Sequence, residues 1–225
     1  MIKVDNLSKR FGNKIALEDI SFDIKEGEIF GFLGPSGAGK TTTINILTGQ
    51  LSQDSGKAYI LNKESNRLLP SDFLNIGIMS DTVGFYGKMT VYKNLQFFAK
   101  YHNVSLDKLD VLLKELELFE DKDKKAEKLS TGMKQRMLLI RSILHHPKIL
   151  FLDEPTSGLD PALSNKVHDI LLNLKNEGTT IFLTTHDMSE ATKICDRISL
   201  LNSGHILEYG SPQEIIDKYS QQDKA

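Results

Sequence analysis

The segment Ile29–Thr41, IFGFLGPSGAGKT, constrains this chain more than any other. Its first five residues, Ile29–Leu33, are almost wholly apolar, as expected of a parallel strand buried on both faces. Gly34, Pro35, Ser36, Gly37, Ala38, Gly39, Lys40 and Thr41 follow, fitting the spacing G-x-x-x-x-G-K-[ST] between a strand and a helix. Glycines at 34, 37 and 39 let the backbone reach left-handed angles and turn its N–H groups toward an anion. The helix that follows adds the positive end of its dipole. Lys40 is then placed for the β- and γ-phosphates of a nucleotide, and the Thr41 hydroxyl for Mg2+. The competing explanation is a glycine-rich turn with an exposed lysine. It leaves unexplained why GKTTTI, a glycine and four β-branched residues, opens a helix against its own propensity. The loop by itself does not say which phosphate chemistry follows.

The remaining patterning supplies a sheet for that unit and then interrupts it. Strands are expected at Ile2–Leu7 and Ala16–Ile24, where Leu17, Ile20, Phe22 and Ile24 alternate with polar residues, and a strand pair at Ala58–Leu61 and Ile76–Met79. The helix after the loop should run to about Thr48, with Gly49 to stop it. From about Asp81 to His146 the pattern is helical. Thr90 caps a helix carrying Val91, Leu95, Phe98 and Ala99, and Ser105 caps one carrying Leu109, Leu112, Leu113 and Leu116. A third helix runs from about Thr131 to His145, ended by Pro147. Strands and helices then alternate again: Ile149–Leu152, a helix opened by Asp160-Pro161, Thr179–Thr184, and a short helix at Ser189–Cys195. A hairpin turns at Asn202-Ser203-Gly204, and Ser211 with Glu214 forms a capping box for the last helix. The outline is one α/β domain, with residues 1–80 and 147–225 as core and residues 81–146 as a helical insert.

Three further elements carry chemistry. The apolar run Ile149–Leu152 delivers Asp153 and Glu154 to the carboxyl end of a buried strand, the edge at which parallel sheets bind ligands. The phosphate loop belongs to the same edge, so the two features are expected to meet. Asp153 then serves magnesium through water, and Glu154 orients and deprotonates an attacking water. Without the upstream loop, a pair of solvated acids would be the simpler reading. Thr179–Thr185 likewise delivers His186, whose imbidazole is placed to hydrogen-bond a γ-phosphate oxygen; the other five histidines read as structural or exposed. Leu129-Ser130-Thr131-Gly132 opens the third helix of the insert with a hydroxyl and backbone N–H groups beside a helix dipole. Taken in isolation that is a capped helix, and a second phosphate-facing element is a puzzle.

Composition narrows the class. Lys+Arg 28 against Asp+Glu 30 leaves a formal charge of -2, without the basic domain that nucleic acid recognition favours. The one cysteine excludes an internal disulfide framework. No stretch approaches the roughly 20 apolar residues of a membrane helix, and the opening MIKVDNLSKRF lacks a signal-peptide core. A soluble cytoplasmic chain is expected.

In this order the motifs resemble the nucleotide-binding subunit of ABC transporters over nearly the whole chain. The resemblance makes Gly34–Thr41 the Walker A loop, Leu150–Asp153 the Walker B strand, Glu154 the catalytic glutamate and His186 the switch histidine. Leu129–Met133 resembles the signature motif and Ser157–Asp160 the D-loop. It implies the ABC ATPase fold: a P-loop NTPase core with an N-terminal antiparallel β subdomain and a helical insert. ATP and Mg2+ are the implied ligands. ATP would touch Phe11, stacked on adenine, Gly34, Pro35, Ser36, Gly37, Ala38, Gly39, Lys40, Thr41, Thr42, Ser130 and Gly132; the metal would touch Thr41, Asp153 and Asp81. The puzzle is answered by head-to-tail pairing with a second copy, or a close paralogue, whose signature completes the site. The implied partners are integral membrane permease subunits at the cytoplasmic face of the cell membrane, with no nucleic acid. LSTGMKQR resembles exporters of drugs and antimicrobial peptides.

Two departures stand out. Thr131 and Met133 replace the commoner glycine and glutamine, while Ser130 and Gly132 are kept. Asp81 stands where the family usually has glutamine; it is one methylene shorter and cannot donate when ionised, so it touches magnesium through water or serves as a hinge. The apolar patch Gly84–Met89 either joins the groove that receives a cytoplasmic helix of the permease or anchors the loop to its own core. The rival functions are a non-transport ABC ATPase acting on DNA or ribosomes, and a soluble P-loop kinase. Against the first stand the short insert and the lone cassette; the second has no use for LSTGM or SGLD.

Overall fold

The computed structural model describes residues 1–80 and 84–222, with side chains through residue 219. In chain order the elements are β1 (Ile2–Phe11), β2 (Lys14–Ile24), β3 (Ile29–Leu33), α1 (Lys40–Leu47), β4 (Ser55–Ile60), β5 (Lys63–Glu64) and β6 (Ile76–Met79). Then follow α2 (Val91–Tyr101), α3 (Leu106–Glu115), α4 (Thr131–Ile143), β7 (Ile149–Asp153) and α5 (Pro161–Asn176). The chain closes with β8 (Thr180–Thr185), α6 (Met188–Ile194), β9 (Arg197–Asn202), β10 (His205–Gly210) and α7 (Pro212–Gln222). This is a mixed α/β fold. It divides into two compact units, Met1–Pro70 with Thr180–Ala225, and Ser71–Thr179.

The first unit holds an antiparallel sheet ordered β2-β1-β4-β5. β1 and β2 run further than the alternation suggests, to the pair Phe11 and Lys14, because ladder hydrogen bonds carry the strands through the polar stretch Ser8–Arg10. Their register shifts where Asn6 and Asp19 adopt left-handed backbone, φ 48 and 54, and the Asn6 amide donates to the Asp19 carboxylate at 2.8 Å. Short polar side chains tolerate that conformation better than branched ones. In the same unit β3 lies between β8 and β9, parallel to both, and β9 turns back into β10. Phe22 of β2 stacks on Phe30 of β3 with ring centroids 5.5 Å apart, in a core shared with Phe32 and Phe182. At its edge the buried Glu28 carboxylate accepts from the Arg197 guanidinium at 2.8 Å and from Lys25 N–H at 2.7 Å.

The second unit pairs β6 and β7 in parallel, Met79 opposite Leu152. The expected strands at 58–61 and 76–79 both form but are not a pair. β4 joins β1 antiparallel, whereas β6 takes β7. Each expected cap forms: Thr90, Ser105 and Ser130 accept N–H bonds from Lys93, Lys108 and Met133, and Asp160 from Leu163 ahead of Pro161. Val91, Leu95 and Ala99 of α2, with Leu109 and Leu113 of α3, are buried, while Phe98 and Leu112 are only half-buried. α4 stops at Ile143, two residues before the expected end, and His146 takes left-handed backbone, φ 49, ahead of Pro147.

Candidate functional site

In the first unit the phosphate loop is shaped from behind. A Cβ on Gly34 would stand 2.2 Å from the Leu201 carbonyl oxygen, so only glycine lets the loop pass that strand. Gly39 has φ 116, and a Cβ there would meet the Ala16 carbonyl at 2.6 Å. The loop is pinned to the β9–β10 turn, where Gly204 N–H donates to the Ala38 carbonyl at 3.0 Å. Lys40 folds back over the loop and donates to the carbonyls of Gly34 and Pro35 at 2.6 and 3.3 Å, with its stem buried. Pro35, Ser36, Gly37 and Thr41 are exposed, and Thr42 half-buried. Glycine at the N-cap offers no side-chain bond, and no acid in the first turn of α1 offsets the dipole. The result is a loop with an exposed tip, Pro35–Gly37, ahead of a helix start whose positive dipole end suits phosphate.

His186 stands beside that loop for a reason of register. Leu33 of β3 is paired with Thr185 of β8, so Gly34 and His186 leave neighbouring strands at the same end. Asp187 follows, held by its N–H to the Thr185 hydroxyl, and its carboxylate caps α6 through Ser189 N–H at 2.8 Å. Those bonds direct the chain away from the strand and leave His186 exposed. Phe11, at the last position of β1, is half-exposed at 50% and so is not packed into the core.

The second unit holds the acids and the segment expected to be a second phosphate-facing element. Asp153 ends β7, half-buried, and Glu154 follows with φ 51. A left-handed backbone at a glutamate costs on the order of 1–3 kcal/mol, and such strain concentrates at active sites. The turn is held by Ser157 N–H on the Glu154 carbonyl and by Leu159 N–H on that of Thr156. At the start of α4, Ser130 is exposed and its Oγ accepts from Met133 N–H at 3.3 Å. A Cβ on Gly132 would stand 3.1 Å from the Gly158 carbonyl, so α4 begins against the Ser157–Asp160 loop. Asp81 lies outside the described residues.

In the loop that follows, Tyr86 is 52% exposed and meets the half-exposed Phe97 edge-on at 5.8 Å. Of the patch Gly84–Met89, Tyr86 thus faces solvent, while Phe85 and Met89 are half-buried. Beneath it lies a residue the sequence reading passed over: Asn94, 2% exposed on the apolar stripe of α2. A polar residue between Val91, Leu95 and Phe98 was the available signal. Arg141, buried and over the Phe98 ring, donates to the Gly84 carbonyl at 2.7 Å, and burial lowers its pKa to about 10.

Among the described residues no group of three or more His, Cys, Asp or Glu could hold a metal between them. Mg2+ does not require one: it keeps several waters and takes one or two carboxylates with substrate phosphates. The Thr41 hydroxyl and the Asp153 carboxylate are hard oxygen donors of that kind.

Residues 17–157 match the ABC transporter family. A fluoroquinolones export ATP-binding protein of Mycobacterium tuberculosis is 41% identical over 218 residues, 96% of this chain and 72% of that protein. An Fe(3+) ions import ATP-binding protein of Fusobacterium nucleatum is 36% identical, over 96% of this chain and 60% of its own length. Among solved structures, the dimer of an ATP-binding cassette in a post-hydrolysis state with ADP and Pi superposes with a TM-score of 0.85 at 27% identity, covering 94% of this chain and 99% of that one. The chain belongs to the ABC transporter family, as an ATP-binding subunit that hydrolyses ATP.

Proposed function

We propose that this chain works as a head-to-tail pair with a second copy of itself and powers export through separate membrane permeases. The observation that carries the reading is that one chain has two helix starts of a kind suited to phosphate, α1 behind its glycine loop and α4 with Ser130 at its N-cap and Gly132 in its first turn. One nucleotide per chain needs only the first, and the second is then free to serve the partner's nucleotide. The dimeric cassette with ADP and Pi supports this arrangement.

In this reading the backbone N–H groups of Gly37–Thr41 and the Lys40 ammonium hold the phosphates, and Phe11 stacks on adenine. Thr41 and Asp153 would hold Mg2+, which would supply charge neutralisation at the phosphate oxygens. Glu154 accepts a proton from the water that attacks the γ-phosphorus. The bond to the ADP oxygen breaks, and the negative charge leaves with ADP. His186 hydrogen-bonds a γ-phosphate oxygen until phosphate departs. Loss of that bond, and of the contact from the partner's signature serine, releases the pair.

No helix among the described residues is long and apolar enough to cross a membrane. Permease subunits on other chains would hold this one at the cytoplasmic face, docking near Tyr86 and Phe97, with no role for nucleic acid. The chain is read as a single ABC ATPase domain whose residues 81–146 form the helical subdomain. Export is favoured over import by LSTGMKQR and by the fluoroquinolone relative, although an iron importer is also similar. The test is transport in inside-out vesicles carrying the chain with its membrane partner. ATP added outside should drive drug into the vesicles, and transport only into right-side-out vesicles loaded with ATP would overturn export.

A further inference from the structure

We infer that Asn94 is a positioning residue for Ser130, acting through the 84–90 loop. The inference rests on the reading of Ser130 as the serine that faces a partner's phosphate. Asn94 is buried in the apolar stripe of α2, where an amide is tolerated only if its donors and acceptor are satisfied. Its Oδ1 accepts from Tyr86 N–H at 2.8 Å. Its Nδ2 donates to the carbonyls of Tyr86 and Thr90, each at 3.0 Å, and more weakly to that of Met89 at 3.4 Å. One side chain thus grips both backbone groups of Tyr86, as a neighbouring strand would.

The outer edge of that loop holds the segment leading into α4. The carbonyl of Gly87 accepts from Glu127 N–H at 3.0 Å, and that of Met89 from Ala126 N–H at 2.9 Å. Val91 and Tyr92, at the start of α2, donate to the carbonyls of Lys124 and Lys122. Ala126–Lys128 is a single tight turn, Leu129 is buried, and Ser130 comes next. Asn94 therefore fixes the loop, the loop fixes residues 126 and 127, and these set the position of Ser130. A leucine in its place would suit the stripe but would grip nothing. The loop whose surface carries Tyr86 and the residue that faces phosphate are joined into one hydrogen-bonded body.

Asn94→Asp and Asn94→Ala, in the full chain, test the assignment against wild type and Ser130→Ala. Amide exchange at Ala126 and Glu127 should quicken by about tenfold or more in both Asn94 variants, the factor expected when a buried carbonyl loses its partner. ATP turnover should fall about as much, while a fluorescent ATP analogue binds the isolated subunit within about twofold of wild type, since the phosphate loop is untouched. The aspartate carboxyl faces carbonyl oxygens, which favour its protonated, donating form. The turnover of Asn94→Asp relative to wild type should therefore recover as pH falls from about 8 to about 6, and Asn94→Ala should show no such recovery. Where the aspartate does not fold, the alanine decides by exchange and turnover. Unchanged exchange at Ala126 and Glu127, or quickened exchange with wild-type turnover, overturns the inference. Wild-type turnover in Ser130→Ala would refute the reading of Ser130 itself, with exchange still deciding whether Asn94 holds the loop.

Discussion

Replacing Gly34 by alanine asks whether the phosphate loop depends on close passage behind β9. The added Cβ would lie 2.2 Å from the Leu201 carbonyl oxygen and 3.1 Å from the Ala38 Cβ. Ordinary contact begins near 3.4 Å, so about 1 Å of movement is required. Leu201 cannot supply it easily, because it is paired with Ile206 while Leu200 beside it is paired with Leu33. The loop must move instead, carrying the Gly34 carbonyl that Lys40 grips at 2.6 Å. Overpacking of this kind costs about 1–3 kcal/mol of stability. A displacement near 1 Å at a site of positioned groups costs about 100-fold in rate. Gly37→Ala is the control for stability: among the described residues nothing lies within 4 Å of its Cβ, but φ is 80, so only the left-handed penalty of about 1 kcal/mol applies. Urea unfolding, nucleotide titration and steady-state turnover measure these effects. Wild-type turnover and stability in Gly34→Ala would refute the steric argument, as would a larger loss of stability in Gly37→Ala.

Glu154→Gln should lower ATP turnover by about 100-fold or more, the contribution of a general base, while an ATP-bound pair accumulates on gel filtration; unchanged turnover would sink the assignment. Glu28→Ala removes the carboxylate that holds Arg197, which keeps its bonds to the Asp23 and Tyr209 oxygens, and should destabilise by about 2 kcal/mol in urea, less than a fully buried pair costs. A loss below about 0.5 kcal/mol would show that those oxygens suffice. Burial, helped by the neighbouring His102, lowers the pKa of His145 from 6.5 to about 4. The unfolded chain therefore binds this proton first, so stability should fall as pH drops from about 6.5 toward 4, by up to about 2 kcal/mol after allowance for partial exposure. His145→Gln should flatten that slope in urea melts at different pH, and an identical slope would assign it to other groups.

Much of the site was legible because its signals are local. The caps at Thr90, Ser105, Ser130 and Asp160 bond three residues ahead, and the Ser211–Glu214 box closes on itself, so each is written in one short stretch. The glycine loop, and the apolar strands that deliver Asp153 and His186, are local in the same sense. Less legible were β1 beyond Leu7, whose polar residues Ser8–Arg10 hide a strand held by its neighbours, and the separate partners of β4 and β6. Asn94 escaped because its partners are backbone groups of a loop, which side-chain pattern does not reveal.

By itself the sequence determined that this chain builds strands and capped helices around a phosphate loop, and which acids and histidine stand at strand ends. Periodicity and hydrogen bonds spanning a single turn are sufficient for that. Tertiary structure decided that Gly34 passes against Leu201, that Leu33 registers with Thr185 to set His186 beside the loop, and that Glu154 turns on a left-handed backbone. Each depends on segments far apart in the chain closing to within an ångström or so, or on the packing around them. Close-packed interiors and sheet register impose that precision, and no local stretch of residues encodes it.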